Sequence, residues 1–138
     1  MAELEVTAVR ENLKDVFDFA SKELKGRTDN PTLMRQIKLC VEEIFLNICS
    51  YAYHPDTGEA RIVLQVEGDP IPIRVIFTFF DRGRPFDPLL EGIPDTESDL
   101  EDRQVGGLGI FLVKNTVDDI SYEYKDGQNI LTFVKEFW

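Results

Sequence analysis

Two pairs of strand patterns, each joined by a turn too short to hold a helix, constrain the fold of this chain most. The first pair is ARIVLQVEG and IPIRVIFTFF, joined around residues 68–70. The second pair is DISYEYK and NILTFVKEF, joined by Asp126-Gly127, a dipeptide typical of a tight hairpin turn. Strands joined in this way run antiparallel, so the chain does not have the strict strand–helix alternation of a doubly wound parallel sheet.

Helical patterns complete the order of elements. A strand pattern at 4–9 precedes helical spacing over 10–25, and a second helix runs from a cap at Asp29 or Asn30 to about residue 53. After the first strand pair, a polar segment over 81–104 leads into the glycine-rich helix pattern VGGLGIFLVKNTV. This order predicts an α+β fold, with one mixed or antiparallel sheet and helices on a single face. The length predicts a single domain, residues 1–138.

Composition narrows the classes of partner. The net charge is −11 and no run of lysines and arginines is present, so we expect no binding to a nucleic-acid backbone or an anionic membrane. A nucleotide can still bind locally through backbone N–H groups and a metal. Cys40 and Cys49, with a single histidine, are too few for a disulfide framework or a structural zinc site. Without a signal peptide or a membrane-spanning stretch, we expect a cytoplasmic protein with buried, reduced cysteines.

The second helix presents a polar pair opposite its apolar stripe. Around Val41 the helical period gathers a core stripe of Leu33, Ile37, Ile44, Phe45 and Ile48. Glu43 and Asn47 fall together on the far side, one turn apart. One interpretation is an ordinary solvated face. The other is a carboxylate that polarises a hydroxyl or water, beside an amide oxygen that binds a hard cation such as Mg²⁺.

A carboxylate ends the most apolar strand pattern. Asp81 follows IRVIFTFF and begins DRGRPFDP. Such a carboxylate can accept a hydrogen bond from an exocyclic amine, and Gly83 would let a flat ring approach the backbone. An ordinary surface turn would explain the same residues.

Three glycines open the third helix pattern. Gly106, Gly107 and Gly109 can direct backbone N–H groups at phosphate oxygens, with the helix dipole behind them. Glycine-rich helix starts also occur without ligands. The Walker A loop and the dinucleotide fingerprint are both absent from the sequence.

The three motifs in this order, E-x-x-x-N, D-x-G-x-P-F-D and G-G-L-G, resemble the nucleotide site of the GHKL ATPase superfamily. More closely, residues 5–137 resemble the small bacterial anti-sigma-factor serine-protein kinases of that superfamily. The resemblance implies a two-layer α/β sandwich of the GHKL (Bergerat) type, with a mixed, mostly antiparallel sheet. It also implies ATP and Mg²⁺ as cofactors.

The resemblance assigns a role to each matching residue. Asp81 matches the aspartate that meets the adenine amine, and Gly83 matches the glycine that admits the ring. Asn47 matches the asparagine that binds Mg²⁺, and Glu43 matches the glutamate thought to act as the base.

The resemblance also extends to the phosphate end. Gly106, Gly107 and Gly109 match the glycine box that cradles phosphates. Residues 88–105 would form a lid over the nucleotide, and Arg103, near the end of the lid, would face a phosphate.

One departure from the family lies just after the second helix. Relatives often carry a His-Gly-Tyr or His-Ala-Tyr sequence there, whereas this chain has Tyr51-Ala52-Tyr53. That histidine is not the family's base, so catalysis is not excluded. His54 stands beside Pro55 in a turn pattern, and we expect it to be a solvated loop residue.

These observations leave three functional hypotheses. The first is an ATP- and Mg²⁺-dependent serine/threonine protein kinase of the anti-sigma-factor type. It would phosphorylate an anti-anti-sigma (STAS) antagonist, sequester a sigma factor and have the capacity to form a homodimer. The second is a non-catalytic ATP/ADP-binding module that switches partners. The third, the detached ATP-binding domain of a histidine kinase, is disfavoured because no phosphoacceptor helix precedes the first strand pattern and the lid is short.

Overall fold

The two predicted strand pairs and the first strand form one five-stranded sheet. The computed structural model describes residues 1–28, 30–68, 72–91 and 107–137. The strands are β1 Ala2–Thr7, β2 Glu59–Glu67, β3 Ile73–Asp81, β4 Asp119–Lys125 and β5 Gln128–Phe137, in the spatial order β1-β2-β3-β5-β4. All four pairings are antiparallel, which confirms the predicted α+β class and selects the antiparallel alternative. Strand β1 covers 2–7 rather than 4–9 because its ladder with β2 ends at the Thr7–Glu59 pair.

The described helices are α1 Leu13–Leu24, preceded by a 3₁₀ turn at Arg10–Asn12, α2 Pro31–Asn47 and α3 Gly107–Thr116. Asn30 caps α2, because its Oδ1 accepts a hydrogen bond from the Leu33 N–H at 2.9 Å. Asp29, the other predicted cap, lies outside the described residues. Beyond Asn47 the helix continues as a π-helical turn, Ile48–Ala52, which accounts for the predicted length. None of the described helices combines the length and apolar character needed to cross a membrane.

Alternate residues of the central strands form the buried face of the sheet. In β3 these are Val75, Phe77 and Phe79, each at most 1% exposed. The Phe77 ring stacks on Phe133 of β5, with centroids 5.1 Å apart. The core stripe predicted for α2 belongs to the same buried cluster, and every member is buried: Leu33, Ile37, Val41, Ile44, Phe45 and Ile48. The helices therefore cover this face, as predicted.

The two cysteines are free thiols. Cys40 is buried and Cys49 is half-buried. Burial raises the pKa of Cys40 to about 12 and that of Cys49 to about 11. Both thiols are therefore protonated at neutral pH and are poor nucleophiles.

Candidate functional site

A pocket opens where the C-terminal end of α2 meets the inner face of β3, β5 and β4. Its empty volume is about 410 Å³, part of it open to solvent. Tyr51 of the π-turn stacks on Phe86 of the loop after β3, with ring centroids 5.6 Å apart, and both line the pocket. The side chains with polar groups that line it belong to six residues: Asn47, Tyr51, Asp81, Arg84, Tyr122 and Asn129. Two residues predicted from separate motifs, Asp81 and Asn47, thus face one cavity.

Strand alternation places Asp81 inside. It is the last residue of β3, on the same face as Phe77 and Phe79, and is 7% exposed. Its Oδ1 accepts hydrogen bonds from the Gly83 N–H at 2.9 Å and from Asn129 Nδ2 at 2.8 Å. Burial raises the pKa of Asp81, and these two hydrogen bonds oppose that rise. The surface-turn alternative is therefore wrong for this carboxylate.

Gly83 is required by the fold itself. A Cβ at this position would lie 2.2 Å from the carbonyl oxygen of Ala52 in the π-turn. The same carbonyl accepts a hydrogen bond from the Arg84 N–H at 3.0 Å. The loop after β3 thus docks on the π-turn through its backbone. Its role in admitting a flat ring stays a prediction.

Asn47 is buried, not solvated. It is 9% exposed, and no donor among the described residues reaches its buried Oδ1. An amide oxygen of this kind is a ligand that Mg²⁺ accepts. The described residues contain no cluster of three His, Cys, Asp or Glu that could hold a metal alone. Asn47 therefore fits a cation that brings further oxygens with it, from a bound anion and from water.

Glu43 and the glycine turn of α3 are in contact. Glu43 is half-buried, one turn before Asn47 on α2. A Cβ built on Gly109 would lie 2.0 Å from Glu43 Oε2, so the carboxylate occupies the space beside this glycine. Burial raises the pKa of Glu43, and the neighbouring Glu42 raises it further. A carboxylate with a raised pKa is a stronger base than a solvated one.

The remaining predicted residues are only partly described. Gly107 is the first residue of α3, as the helix pattern predicted. Gly106, Arg103 and most of the predicted lid lie outside the described residues. The beginning of the predicted lid, Pro88–Glu91, forms a 3₁₀ turn.

Asn129 and Tyr122 are two of the pocket residues that were not predicted from the sequence. Asn129 is 6% exposed and bonds to Asp81, and Tyr122 donates its hydroxyl proton to Asn129 Oδ1. A signal for Asn129 exists in the sequence, because it shares the alternation of Leu131 and Phe133 and so places a polar group on an apolar face. Tyr122 carries no comparable signal.

The stretch that departs from the family has a local structural role. Tyr53 donates its hydroxyl proton to the Glu59 carbonyl at 2.7 Å and accepts a hydrogen bond from the Arg82 N–H at 2.7 Å. It therefore ties the end of the π-turn to β2 and to the loop after β3. His54 is exposed, as predicted.

Comparison with known proteins fits this geometry. A family model of the histidine kinase-like ATPase domain matches residues 6–135. The serine/threonine-protein kinase BtrW of Bordetella bronchiseptica is 30% identical over 97 residues, which cover 70% of this chain and 66% of that protein. The serine-protein kinase RsbW of Bacillus cereus is 29% identical over 102 residues, covering 71% and 61%. RsbW of Listeria monocytogenes is 29% identical over 103 residues, covering 71% and 63%.

These matches span a little under two thirds of the relatives' own lengths. The superfamily resemblance carried by the three motifs is confirmed, since the family model covers nearly all of the chain. With its antiparallel sheet, its one-sided helices and a buried Asp81 and Asn47 in one pocket, the chain belongs to the histidine kinase-like ATPase domain family.

Proposed function

We propose that the protein binds ATP with Mg²⁺ in this pocket and transfers the γ-phosphoryl group to a serine or threonine of a partner protein. One observation carries the nucleotide part: two buried polar residues, Asp81 and Asn47, line the same cavity, and no described residue donates to the amide oxygen of Asn47. A buried acceptor left unpaired costs about 1–3 kcal/mol. A ligand that supplies a partner for Asn47 Oδ1 would offset that cost.

The base would lie at the Asp81 end. Its exocyclic amine would donate a hydrogen bond to the carboxylate, and the apolar wall formed by Ile48 and Phe79 would contact the ring. Gly83 supports this end because it lets the loop dock on Ala52.

The phosphates would lie toward α3. Gly107 and Gly109 are in the first turn of that helix, where free N–H groups favour an anion. Asn47 Oδ1 would hold Mg²⁺, which when bound neutralises part of the phosphate charge. Gly106, Arg103 and the lid segment belong to this proposal through the family resemblance.

Glu43 would act as the general base. It would take the proton of the attacking hydroxyl as that oxygen bonds to the γ-phosphorus. The bond between this phosphorus and the β–γ bridging oxygen breaks, and ADP leaves. The burial that raises the pKa of Glu43 suits this role, since the carboxylate then accepts a proton more readily.

The partner follows from the resemblance and from the reaction class in the relatives' names. BtrW and RsbW are named serine or serine/threonine kinases. We propose that this protein phosphorylates a small anti-anti-sigma (STAS) protein in the cytoplasm and sequesters a sigma factor in the alternative state, as a homodimer.

A non-catalytic ATP/ADP-binding partner switch is the second candidate. Glu43 is not among the described residues that line the pocket with Asp81, and its carboxylate rests beside Gly109. A purely structural role for Glu43 would give the same contact.

Labelled ATP, incubated with the protein and with STAS proteins encoded nearby, separates these candidates. Transfer of the label to a serine or threonine is the expected result. Exchange of partners in response to ATP without transfer would leave only the switch. Absence of ATP binding would overturn both.

A further inference from the structure

Asn129 is a buried polar residue that the proposed chemistry does not use. The buried polar side chains among the described residues are Asn47, Asp81 and Asn129. The first two have roles in the proposed function. Asn129 is directly opposite Asp81 in the β3–β5 ladder, so its amide lies beside the carboxylate.

The amide of Asn129 uses both its donor and its acceptor side. Nδ2 donates to Asp81 Oδ1 at 2.8 Å and to the Arg84 carbonyl at 2.8 Å, with the Gly83 carbonyl at 3.4 Å. Oδ1 accepts the Phe86 N–H at 3.1 Å and the Tyr122 hydroxyl. An amide has only two N–H bonds and one carbonyl oxygen, so its capacity is filled.

These contacts fix the orientation of the amide. A flip would set Asn129 Oδ1 against Asp81 Oδ1 and the Arg84 carbonyl, which are both acceptors. It would also set Nδ2 against the Phe86 N–H, which can only donate. The Tyr122 hydroxyl reinforces the observed orientation.

The consequence falls on Asp81. The two hydrogen bonds that described residues donate to its carboxylate, from Gly83 and Asn129, both end on Oδ1. Among the described residues, Oδ2 is left as the acceptor available to a ligand in the pocket. A rigid carboxylate with one free oxygen accepts from an amine and repels a carbonyl.

We propose that Asn129, held by Tyr122, is a positioning residue that makes Asp81 a fixed single acceptor and so selects a 6-aminopurine over a 6-oxopurine. The proposal rests on the proposed nucleotide binding and deepens it. Asn129 acts through Asp81 and need not touch the base.

Asn129→Asp gives the sharpest test. The introduced carboxylate has nearly the same shape, but it puts a charge opposite Asp81 when both groups are ionised. At lower pH the pair shares one proton, and an O–H···O bond to Asp81 Oδ1 replaces the lost N–H···O bond. ATP affinity of this variant should therefore improve as the pH falls. Wild-type affinity should stay level or weaken, because protonation of Asp81 removes the acceptor.

The titratable and charged groups near Asp81 would not by themselves make ATP affinity improve as the pH falls. They are Glu5, Tyr51, Tyr53, Glu59, Arg61, Arg82, Arg84, Asp87 and Tyr122. Burial raises the pKa of Tyr53 and that of Tyr122, so neither of these two ionises between about pH 6 and about pH 8. All of these groups are shared by the variant and the wild type, so their effects on ATP affinity cancel in the comparison.

The experiment measures, by calorimetry, the affinities of the full chain for ATP and for inosine triphosphate, which has a carbonyl in place of the amine. We expect the wild type to prefer ATP by about 10-fold to 100-fold. Near pH 8, Asn129→Asp should lose about 10-fold or more in ATP affinity, and the ratio of its ATP affinity to its inosine triphosphate affinity should fall close to one. Near pH 6, both the ATP affinity and this ratio should recover. Tyr122→Phe should lower the ratio by roughly 3-fold. Thr132→Val is the control, since Thr132 bonds to Thr78 on the other face of the sheet.

The outcomes separate the two proposals. Absence of ATP binding to the wild type overturns the proposed function and with it this inference. Equal wild-type binding of ATP and inosine triphosphate overturns the inference alone, as does an Asn129→Asp variant with the wild-type ratio and pH profile. If that variant does not fold, Tyr122→Phe decides, and an unchanged ratio overturns the proposal.

Discussion

The two ends of the pocket are built in opposite ways. At the Asp81 end, the side chains of Asp81 and Asn129 are tied to loop backbone and to each other by hydrogen bonds. Toward α3, no donor among the described residues reaches the buried Asn47 Oδ1, and the carboxylate of Glu43, outside the pocket lining, lies against Gly109. The protein itself supplies hydrogen-bond partners for Asp81 Oδ1 and Asn129, whereas a ligand would have to supply one for Asn47 Oδ1.

This difference separates recognition from chemistry. A rigid, satisfied network costs little reorganisation when a ligand binds, which favours selectivity. Toward α3, the acceptor on Asn47 that lacks a donor among the described residues is a cost in the free protein that a bound ligand can offset. Substitutions at the Asp81 end should therefore change ATP affinity and folding stability. Toward α3, substitution of Asn47 should change Mg²⁺-dependent binding and substitution of Glu43 should change turnover.

Glu43→Gln has the largest expected effect and tests the chemical end. It keeps the shape of the side chain and removes the base. Phosphoryl transfer to a cognate partner should fall by about 10²-fold or more, while ATP affinity stays within roughly 3-fold of wild type. Single-turnover transfer and calorimetry measure the two quantities. Glu42→Gln, the same change one position earlier, is the control, and wild-type transfer by Glu43→Gln would remove Glu43 from the role of base.

Asp81→Asn tests the recognition end. Loss of the acceptor should weaken ATP binding by about 1–3 kcal/mol. The free protein should become more stable at neutral pH, because burial raises the pKa of Asp81 and the ionised carboxylate therefore costs folding free energy.

The higher stability expected for free Asp81→Asn should depend on pH in a defined direction. In the wild type the cost is relieved as the pH falls through the raised pKa of Asp81, so the stability gap to Asp81→Asn should narrow in acid. Thermal melting over a pH series measures this gap. A gap that widens in acid would contradict the assignment, and Asp87→Asn, in the following loop, is the control.

Gly83→Ala should damage folding rather than turnover. The added Cβ would lie 2.2 Å from a backbone oxygen of Ala52, which cannot move without displacing the π-turn. Overpacking of this kind costs about 1–3 kcal/mol of unfolding free energy. Urea denaturation measures the loss, and wild-type stability would show that the loop is not docked as described.

Asn47→Leu should stabilise the free protein while it abolishes Mg²⁺-dependent nucleotide binding. An apolar side chain of similar size removes the unpaired acceptor, with a gain of about 1 kcal/mol. Denaturation without nucleotide, and calorimetry with and without Mg²⁺, test the two parts. Asn115→Leu, on the exposed surface of α3, is the control. Lower stability of Asn47→Leu would mean that Oδ1 has a partner in the free protein.

Gly109→Ala should have the smallest effect on folding. Its Cβ would meet the end of the flexible Glu43 side chain, which can rotate away, and alanine favours a helix over glycine. We expect a change in unfolding free energy below about 1 kcal/mol, with slower transfer because Glu43 is displaced. A loss of unfolding free energy as large as that of Gly83→Ala would contradict the proposed difference between the two ends.

Local periodicity was sufficient to predict part of this site. The alternation of β3 carries Asp81 to the buried face, and the helical period of α2 identifies its core stripe. Periodicity failed at Asn47, which the helical wheel places away from the stripe. The wheel shows one buried face, whereas α2 also packs against α3 and borders the pocket.

Non-local packing accounts for two features that the sequence pattern did not predict, the close contact at Gly83 and the pairing of Asn129 with Asp81. Position 83 requires glycine because the carbonyl of Ala52 leaves no room for a Cβ, and this carbonyl comes close only after the π-turn has formed. Asn129 and Asp81 are 48 positions apart, and only the register of β3 with β5 makes them partners. The register between β3 and β5 cannot be deduced from a single sequence.

The position of β5 between β3 and β4 also affects when the site can form during folding. The hairpin of β2 and β3 involves neighbouring segments, but Asp81 meets Asn129 only after a 48-residue separation has been closed. Such long-range pairings are slower to form than local ones. A chain that has not inserted β5 lacks the Asn129 amide beside Asp81 and so has no fixed acceptor for a base. Nucleotide binding would therefore report that the whole sheet is assembled, and a chain still emerging from the ribosome would not yet compete for nucleotide.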